Sequence, residues 1–373
     1  EGTFDILPDG TVEKAPGAHL DDRQRLVREK LVATLEHKRA AGKSSREAVE
    51  EFVRETAFTC LNRFAALKML EARGPVRECV SRGEQSGGFR EFGLIAPGLA
   101  VLPDRGYRLY IESLFDELST EIKVLFDRRA PESLLWPRRQ ALTELLEILN
   151  RAELAGVWAE DETIGWVYQY FNSDDERRQM RKESQAPRNS HELAVRNQFF
   201  TPRYVVEFLT DNTLGRTWYE MTGGDTALAE RCRYLVRNDQ ESLNERPRMD
   251  PRDLKVLDPA CGSGHFLLYA FDLLLTIYEE AWQDEQHQVA SEATGRTLRQ
   301  DYPDREALLH HLPVVVLERN LYGVDIDPRA AQIAALTLWM RAQRAFRDAG
   351  VKPADRRTIR RTRIVVAEPM PGD

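Results

Sequence analysis

The sequence lacks several patterns that define other protein classes. Its four cysteines, among 373 residues, show no CxxC or Cys/His ligand spacing, which predicts reduced thiols and no structural zinc. The longest apolar run, residues 266–278, is interrupted by Asp272 and is shorter than the roughly 20 residues of a membrane span. No pattern typical of a secretory signal peptide opens the chain. These absences predict a cytoplasmic protein without a membrane span or a bound metal.

Positive charge is not in excess either. The chain has 53 Lys and Arg against 61 Asp and Glu, a net charge of -8, which is not typical of a broadly basic nucleic-acid-binding protein. Local basic runs nevertheless occur at residues 176–182 and 355–363. Each run is either a solvated surface or a contact to phosphates, so the charge count leaves nucleic-acid binding open.

Strand patterns are nearly missing before residue 250, where the periodicity is helical. Residues 44–74 show this most clearly, with Ser44 and Glu47 at capping-box spacing and Gly74 as a stop signal. Further helices are predicted at residues 107–127, 136–150 and 162–172. We therefore predict a flexible N-terminus and an all-helical domain, followed by a second domain, with limits at residues 1–19, 20–185 and 186–373.

Beyond residue 250, short β-type runs alternate with helical patterns. The runs are strand 254–260, helix 265–282, strand 320–328, helix 329–346 and strand 362–368. This alternation predicts βαβ units in a parallel, doubly wound sheet. The predicted fold class is α/β, preceded by the all-helical domain.

The turn after the first of these strands has the composition of a cofactor-binding loop. Asp258 ends the strand, and Gly262 and Gly264 precede the helix. Glycine permits positive φ and lets a ligand approach the main chain. The G-x-G-x-x-G fingerprint is incomplete because Leu267 is its last residue, and the P-loop ending GK[ST] is missing. Asp325 ends the second strand, where a carboxylate accepts hydrogen bonds from a ribose, but its distance of 67 residues from Asp258 argues against an ordinary NAD enzyme.

Three segments together resemble motifs of the S-adenosylmethionine-dependent DNA methyltransferases that modify exocyclic amines. Residues 258–267 (DPACGSGHFL) resemble motif I, residues 323–340 resemble motif II and residues 197–209 (NQFFTPRYVVEFL) resemble motif X. Residues 364–370 lie where motif III is expected, with Glu368 and Pro369 replacing its usual Asp-Phe-like pair. From about residue 45 onward, the chain resembles the long adenine-specific methyltransferases of the phage-defence systems BREX (phage growth limitation type) and DISARM.

The resemblance implies a Rossmann-like methyltransferase fold that binds S-adenosyl-L-methionine through three groups of residues. The motif X residues contact its methionine moiety: Phe200, Thr201 and Pro202. The motif I loop holds its amino and carboxylate groups: Asp258, Pro259, Ala260, Cys261, Gly262, Ser263 and Gly264. The residues after the second and third strands bind the adenosine: Asp325 the ribose, Ile326 the adenine ring and Glu368 the adenine amine.

The motif that would hold the acceptor base is missing from the sequence. An exocyclic amine must be flipped out and hydrogen-bonded as the methyl group arrives, because its lone pair is delocalised into the ring. In the family an Asn/Asp/Ser-Pro-Pro-aromatic motif does this after the fourth strand, whereas here Met370 separates Pro369 from Pro371. We therefore predict no catalytic residue in residues 1–373, and an incomplete fold belonging to a longer methyltransferase or to one half of a split enzyme.

Three functions stay open at this point. The first is the cofactor-binding part of a DNA adenine-N6 methyltransferase in a restriction-modification-like phage-defence system. Its partners would be double-stranded DNA, bound mainly by the missing C-terminal part, and other proteins of the defence system. The second is a non-catalytic subunit that binds the cofactor as a sensor or scaffold. The third is a methyltransferase acting on cytosine N4, RNA or protein.

Overall fold

The computed structural model describes residues 3–40, 42–103, 105–160, 163–165, 167, 174–188, 190–197, 201–237 and 246–367. The chain divides into two compact units, Glu1–Glu160 and Asp161–Asp373. The division falls earlier than the predicted limit at 185/186, and Gly165 packs against Ser263 within the second unit. The domain limits drawn from the sequence stay predictions. None of the helices in the described ranges has the length and apolar character needed to cross a membrane.

The first unit is built from α-helices. They are Asp22–Ala40, Ser45–Arg73, Gly87–Ile95, Pro97–Ala100, Gly106–Leu118, Lys123–Phe126 and Arg139–Leu149. The long predicted helix is confirmed, with the capping box of Ser44 and Glu47 at its start and Gly74 in the left-handed region at its end. The single helix predicted over 107–127 is wrong. Ser119 and Thr120 interrupt it, since their hydroxyls donate to the preceding carbonyls of Asp116 and Glu117 at 2.8 Å.

Residues before the first helix contact the rest of the first unit. Phe4 and Ile6 pack against a hydrophobic cluster that includes Leu31 and Phe52. Arg28 Nε donates to the Phe4 carbonyl at 3.0 Å, which joins the segment to the first helix. The sequence did not indicate these contacts, and the flexibility expected for residues 1–19 stays a prediction.

The second unit contains a three-stranded parallel sheet in the order β1-β2-β3. The strands are β1 Val256–Asp258, β2 Leu321–Asp325 and β3 Arg363–Val366. The helices of this unit are Asp174–Glu183, Ser190–Asn197, Arg203–Thr210, Arg216–Met221, Leu228–Arg231, His265–Gln283, Leu298–Asp301, Arg305–Val315 and Pro328–Asp348. The three predicted strands and their parallel pairing are confirmed, so the second unit is α/β with a small sheet.

Two helices beside the sheet position the candidate site. The loop helix, His265–Gln283, follows β1, and the companion helix consists of Arg203–Thr210, the π-helical segment Asp211–Gly215 and Arg216–Met221. Three residue pairs mark their contact: Asp211 with Tyr269, Gly215 with Leu273, and Trp218 with Glu280. Because residue numbers rise together in these pairs, the two helices run parallel.

Strand β1 has one described neighbour. It pairs with β2 from Val256 to Asp258, and no other described strand lies on its second edge. Leu257 in the middle of β1 is 61% exposed. The strand that carries the candidate loop is therefore the outer strand of the described sheet.

Candidate cofactor-binding site

The loop between β1 and the loop helix is fixed to the end of β2. The Cys261 amide donates to the Val324 carbonyl at 2.9 Å, and the Gly262 amide donates to Asp325 Oδ2 at 2.8 Å. The Gly264 amide closes a turn by donating to the Cys261 carbonyl at 2.8 Å. The loop therefore lies at the carboxyl ends of two parallel strands, which is where open α/β sheets bind ligands.

Two glycines of the loop are required for different reasons. Gly262 has φ +53°, and no described atom lies within 4 Å of a Cβ built on it, so the main chain faces open space. Gly264 has φ +89°, and its Cβ would lie 3.2 Å from the Cβ of Ala334 in the helix Pro328–Asp348. Gly264 thus permits helix packing, whereas Gly262 leaves room for a ligand.

Asp258 has an unused hydrogen-bond acceptor. Its Oδ1 accepts from the Ala260 amide at 3.1 Å, but its Oδ2 is buried and has no partner among the described residues. Burial and the nearby charge of Asp325 raise the pKa of Asp258. A buried carboxylate oxygen without a donor is costly, so this position fits a ligand with a positively charged donor.

Asp325 and Asp327 follow each other closely but have different roles. Asp325 Oδ1 accepts from the Asp327 amide and Oδ2 from the Gly262 amide, both at 2.8 Å, and burial raises its pKa. Each oxygen retains a second lone pair, which suits the two hydroxyls of a ribose. Asp327 instead caps the helix Pro328–Asp348 and binds the Arg329 guanidinium at 2.7 Å. Of the two, Asp325 is therefore the available ligand-binding carboxylate.

The remaining polar groups of the loop are not arranged for nucleophilic catalysis. Cys261 is 4% exposed, and burial raises the pKa of its thiol to about 12, so the thiol stays protonated. Ser263 Oγ lies 3.1 Å from His265 Nδ1, and burial lowers the pKa of His265, which favours the neutral ring. These properties agree with a loop that binds rather than reacts.

One neighbour of the loop was missed by the sequence analysis. A Cβ built on Gly165 would lie 3.4 Å from Ser263 Oγ and 3.5 Å from the His265 ring. The segment Thr163–Gly165 therefore lies against the start of the loop helix. Its helical pattern in the sequence carries no signal for this contact, because the two segments are about 100 residues apart.

Two of the three predicted motif X residues, Thr201 and Pro202, lie at the start of the companion helix. Thr201 and Pro202 are half-buried, and Pro202 is the N-cap. Because Asp211 meets Tyr269 in parallel helices, the same offset of 58 residues brings the start of the companion helix level with the loop.

The other predicted site residues differ in burial, and two of them lie outside the described residues. Ile326 is half-buried directly after Asp325, while Pro259 and Ala260 are exposed. Phe200 and Glu368 lie outside the described residues. The structure thus brings together the loop, Asp258 and Asp325, and it places Thr201 and Pro202 at the start of the companion helix, which packs against the loop helix.

One family model matches a part of the second unit. Residues 236–357 match the model described as the DNA-methyltransferase domain of MmeI. The match covers the loop, both aspartates and the helices after β1 and β2. This part of the chain is therefore similar to a DNA-methyltransferase domain.

Two of the similar curated proteins have names that specify the base on which they act. The chain is 30% identical over 194 residues to the adenine-specific methyltransferase BrxX of Escherichia coli O9:H4 (strain HS), covering 50% of this chain and 14% of BrxX. It is 25% identical over 343 residues to the adenine-specific methyltransferase PglX of Lacticaseibacillus casei (strain Zhang), covering 81% of this chain and 26% of PglX.

A third relative points in the same direction. The chain is 27% identical over 166 residues to the putative type II restriction enzyme and methyltransferase RM.MjaORFECS2P of Methanocaldococcus jannaschii, covering 38% of this chain and 12% of the relative. The chain thus spans between 12% and 26% of the lengths of these relatives. The predicted resemblance to the adenine-specific methyltransferases of the BREX and phage growth limitation systems is confirmed.

Proposed function

We propose that the second unit is the S-adenosyl-L-methionine-binding part of a DNA adenine-N6 methyltransferase in a restriction-modification-like phage-defence system. The observation that carries the proposal is the pairing of Asp258 and Asp325 at adjacent strand ends, joined by the glycine-containing loop. The methyltransferase-domain match and the names of the relatives support adenine in DNA as the acceptor. The fold proposed for this part is Rossmann-like.

The proposed roles follow from the free acceptors of the site. Asp258 Oδ2 accepts from the cofactor's ammonium group, and Asp325 accepts from the ribose hydroxyls. Gly262 leaves space at the main chain, while Thr201 and Pro202 border the methionine end. When bound, S-adenosyl-L-methionine supplies an activated methyl group. Ile326, Phe200 and Glu368 keep the contacts that the resemblance implies, with the adenine, the methionine moiety and the adenine amine respectively.

The acceptor side of the reaction is proposed to come from other residues. Adenine must be flipped out of double-stranded DNA and held by hydrogen-bond acceptors, and the sequence contains no Pro-Pro-aromatic motif for this purpose. We therefore assign binding and orientation of the cofactor, and no catalytic residue, to residues 1–373. The four free thiols support the cytoplasmic location that belongs with this proposal.

Calorimetric titration of S-adenosyl-L-methionine into the 373-residue chain tests the proposal. Saturable binding is expected, with a loss of at least tenfold in affinity for Asp325→Ala, because the variant loses its hydrogen bonds to the ribose. Asp304→Asn is the control for the loss of one negative charge, since Asp304 is the N-cap of the helix Arg305–Val315 and Asn also caps well. A folded chain that binds no S-adenosyl-L-methionine would contradict the proposal.

The acceptor is tested separately in cells. Host DNA is digested to nucleosides with and without the gene that encodes the whole protein, and N6-methyladenine is quantified. An increase that depends on Asp325 supports adenine as the acceptor. Added N4-methylcytosine, or no added modified base, would exclude adenine in DNA as the acceptor.

A further inference from the structure

A buried carboxylate lies where the companion helix departs from α-helical geometry. Asp211 begins the π-helical segment Asp211–Gly215 and is fully buried. A carboxylate is rarely buried completely unless it is paired. Short π-helical segments within α-helices are uncommon and are frequent at functional sites. Both features distinguish this turn from the rest of the companion helix.

Asp211 joins three segments of the second unit. Its Oδ1 accepts from the Tyr269 hydroxyl at 2.8 Å, and its Oδ2 accepts from the Tyr234 amide at 2.9 Å. The adjacent Asn212 donates to the Tyr234 carbonyl at 2.7 Å and accepts from the Val236 amide at 2.8 Å. The companion helix, the loop helix and the turn around Tyr234 therefore meet at one charged group.

The Asp211–Tyr269 hydrogen bond fixes how far one helix lies along the other. Sliding two packed helices by one residue changes their alignment by about 1.5 Å. A hydrogen bond to this buried carboxylate does not tolerate that displacement, because its distance range is only a few tenths of an ångström. A second polar contact, between Trp218 and Glu280, lies about two to three turns further from the loop.

This alignment concerns the two segments assigned to the methionine end of the cofactor. Tyr269 lies about one turn after the loop, and Asp211 lies about two turns after Pro202. We infer that Asp211 and Tyr269 are a positioning pair. Their hydrogen bond fixes the companion helix along its axis, so that Thr201 and Pro202 lie level with the Asp258 loop. The inference rests on the proposed function and adds two residues that the motif resemblance does not include.

Two ligands distinguish positioning from a general contribution to folding. S-adenosyl-L-methionine reaches both segments, whereas 5′-methylthioadenosine lacks the amino-acid part and retains the ribose that Asp325 is proposed to bind. Tyr269→Phe should weaken S-adenosyl-L-methionine binding about tenfold, as expected for the loss of one charged hydrogen bond. Its affinity for 5′-methylthioadenosine should stay within about twofold of that of the unmodified chain, because the strand ends are unchanged.

Tyr278→Phe is the matched control. Tyr278 is in the same helix, is fully buried and donates its hydroxyl to Asn320 Oδ1 at 2.9 Å, further from the loop. The variant loses a buried hydrogen bond and should lower the melting temperature as Tyr269→Phe does, while binding both ligands normally. Asp211→Asn should retain binding, since its amide can accept from the Tyr234 amide and donate to the Tyr269 oxygen.

A second measurement needs no ligand. Amides in Arg203–Thr210 should exchange hydrogen faster in Tyr269→Phe than in Tyr278→Phe, because the first variant releases this end of the companion helix. Equal exchange in the two variants, or an equal loss of affinity for both ligands in Tyr269→Phe, would overturn the positioning role. If the unmodified chain binds neither ligand, the proposed function is overturned together with the inference. If the unmodified chain binds both ligands and Tyr269→Phe binds them with the same affinities, only the inference is overturned.

Discussion

Two charged side chains, the buried Arg63 in the first unit and the half-buried Asp258 in the second, have opposite surroundings. Arg63 in the first unit donates to the Leu125 carbonyl at 2.7 Å, the Asp127 carbonyl at 3.2 Å and Ser133 Oγ at 2.7 Å. Asp258 in the second unit has a buried oxygen with no described donor. Arg63 is satisfied by the protein itself, so its role is structural. Asp258 has bonding capacity left for another molecule, which is the property expected of a binding group.

The largest change is expected in the free energy of unfolding when the hydrogen-bonded guanidinium of Arg63 is removed. Arg63→Ala leaves the buried Leu125 carbonyl without its Arg63 donor, removes one of the donors to the Asp127 carbonyl and removes packing against the Phe115 ring. We expect the free energy of unfolding to fall by about 3 kcal/mol, measured by urea denaturation. Arg46→Ala is the control, because Arg46 is exposed and makes an i,i+4 ion pair with Glu50 that is worth about 0.5 kcal/mol or less. Equal losses in the two variants would mean that the Arg63 hydrogen bonds do not hold the first unit together.

Neutralising the unsatisfied charge should affect binding more than stability. Asp258→Asn removes the charged acceptor, so affinity for S-adenosyl-L-methionine should fall about tenfold, measured by calorimetry. Unfolding should become no easier, since the variant no longer buries an unpaired charge. Asp304→Asn again controls for the loss of one negative charge. A variant that unfolds more easily and binds normally would assign Asp258 a structural role like that of Arg63.

The same residue gives the expected pH dependence. The folded-state pKa of Asp258 is raised, mainly by burial, and its ionised form is the acceptor that an ammonium group requires. Affinity should therefore be complete above the raised pKa and fall as the pH decreases through it. The free energy of unfolding changes in the opposite sense, because the unfolded chain loses this proton at a lower pH than the folded chain does. It should decrease as the pH rises from the unfolded-state pKa of 3.8 through the raised folded-state pKa. Asp258→Asn should remove part of both dependences.

The smallest change in stability is expected at a second buried polar residue of the first unit. Asn62 is fully buried, and its side-chain oxygen and nitrogen have no partner among the described residues. Replacing an unpaired buried amide with an apolar group of similar size should leave the melting temperature unchanged or raise it by a few degrees. Differential scanning calorimetry of Asn62→Leu measures this change. A clear decrease would show that Asn62 has a partner in solution and belongs with Arg63 as a satisfied polar group.

Local patterns made much of the second unit predictable. The three strands, the helices after β1 and β2 and the loop between Asp258 and Gly264 follow from residues close together in the sequence. The capping box at Ser44 and Glu47 is local too. Such features depend on periodicity, caps and turn residues, which a sequence displays directly.

Long-range contacts were not predictable in the same way. The Asp211–Tyr269 bond joins residues 58 positions apart, and Gly165 meets the loop from about 100 residues away. Nothing in either local pattern specifies the partner. The break after Leu118 was missed for another reason, since Ser119 and Thr120 lie within a helical pattern and act through hydroxyl bonds to the main chain.

The outer edge of β1 has a consequence for the behaviour of the molecule in concentrated solution. A strand edge binds main chain of almost any sequence, and lysine side chains commonly protect such edges. The lysine at this position, Lys255, donates instead to the carbonyls of Arg252 and Arg319 at 2.7 and 2.8 Å. Within the part of the chain that the structure describes, the edge beside the exposed Leu257 therefore lacks this protection, and its pairing with strands of other molecules becomes more favourable as the concentration of the 373-residue chain rises.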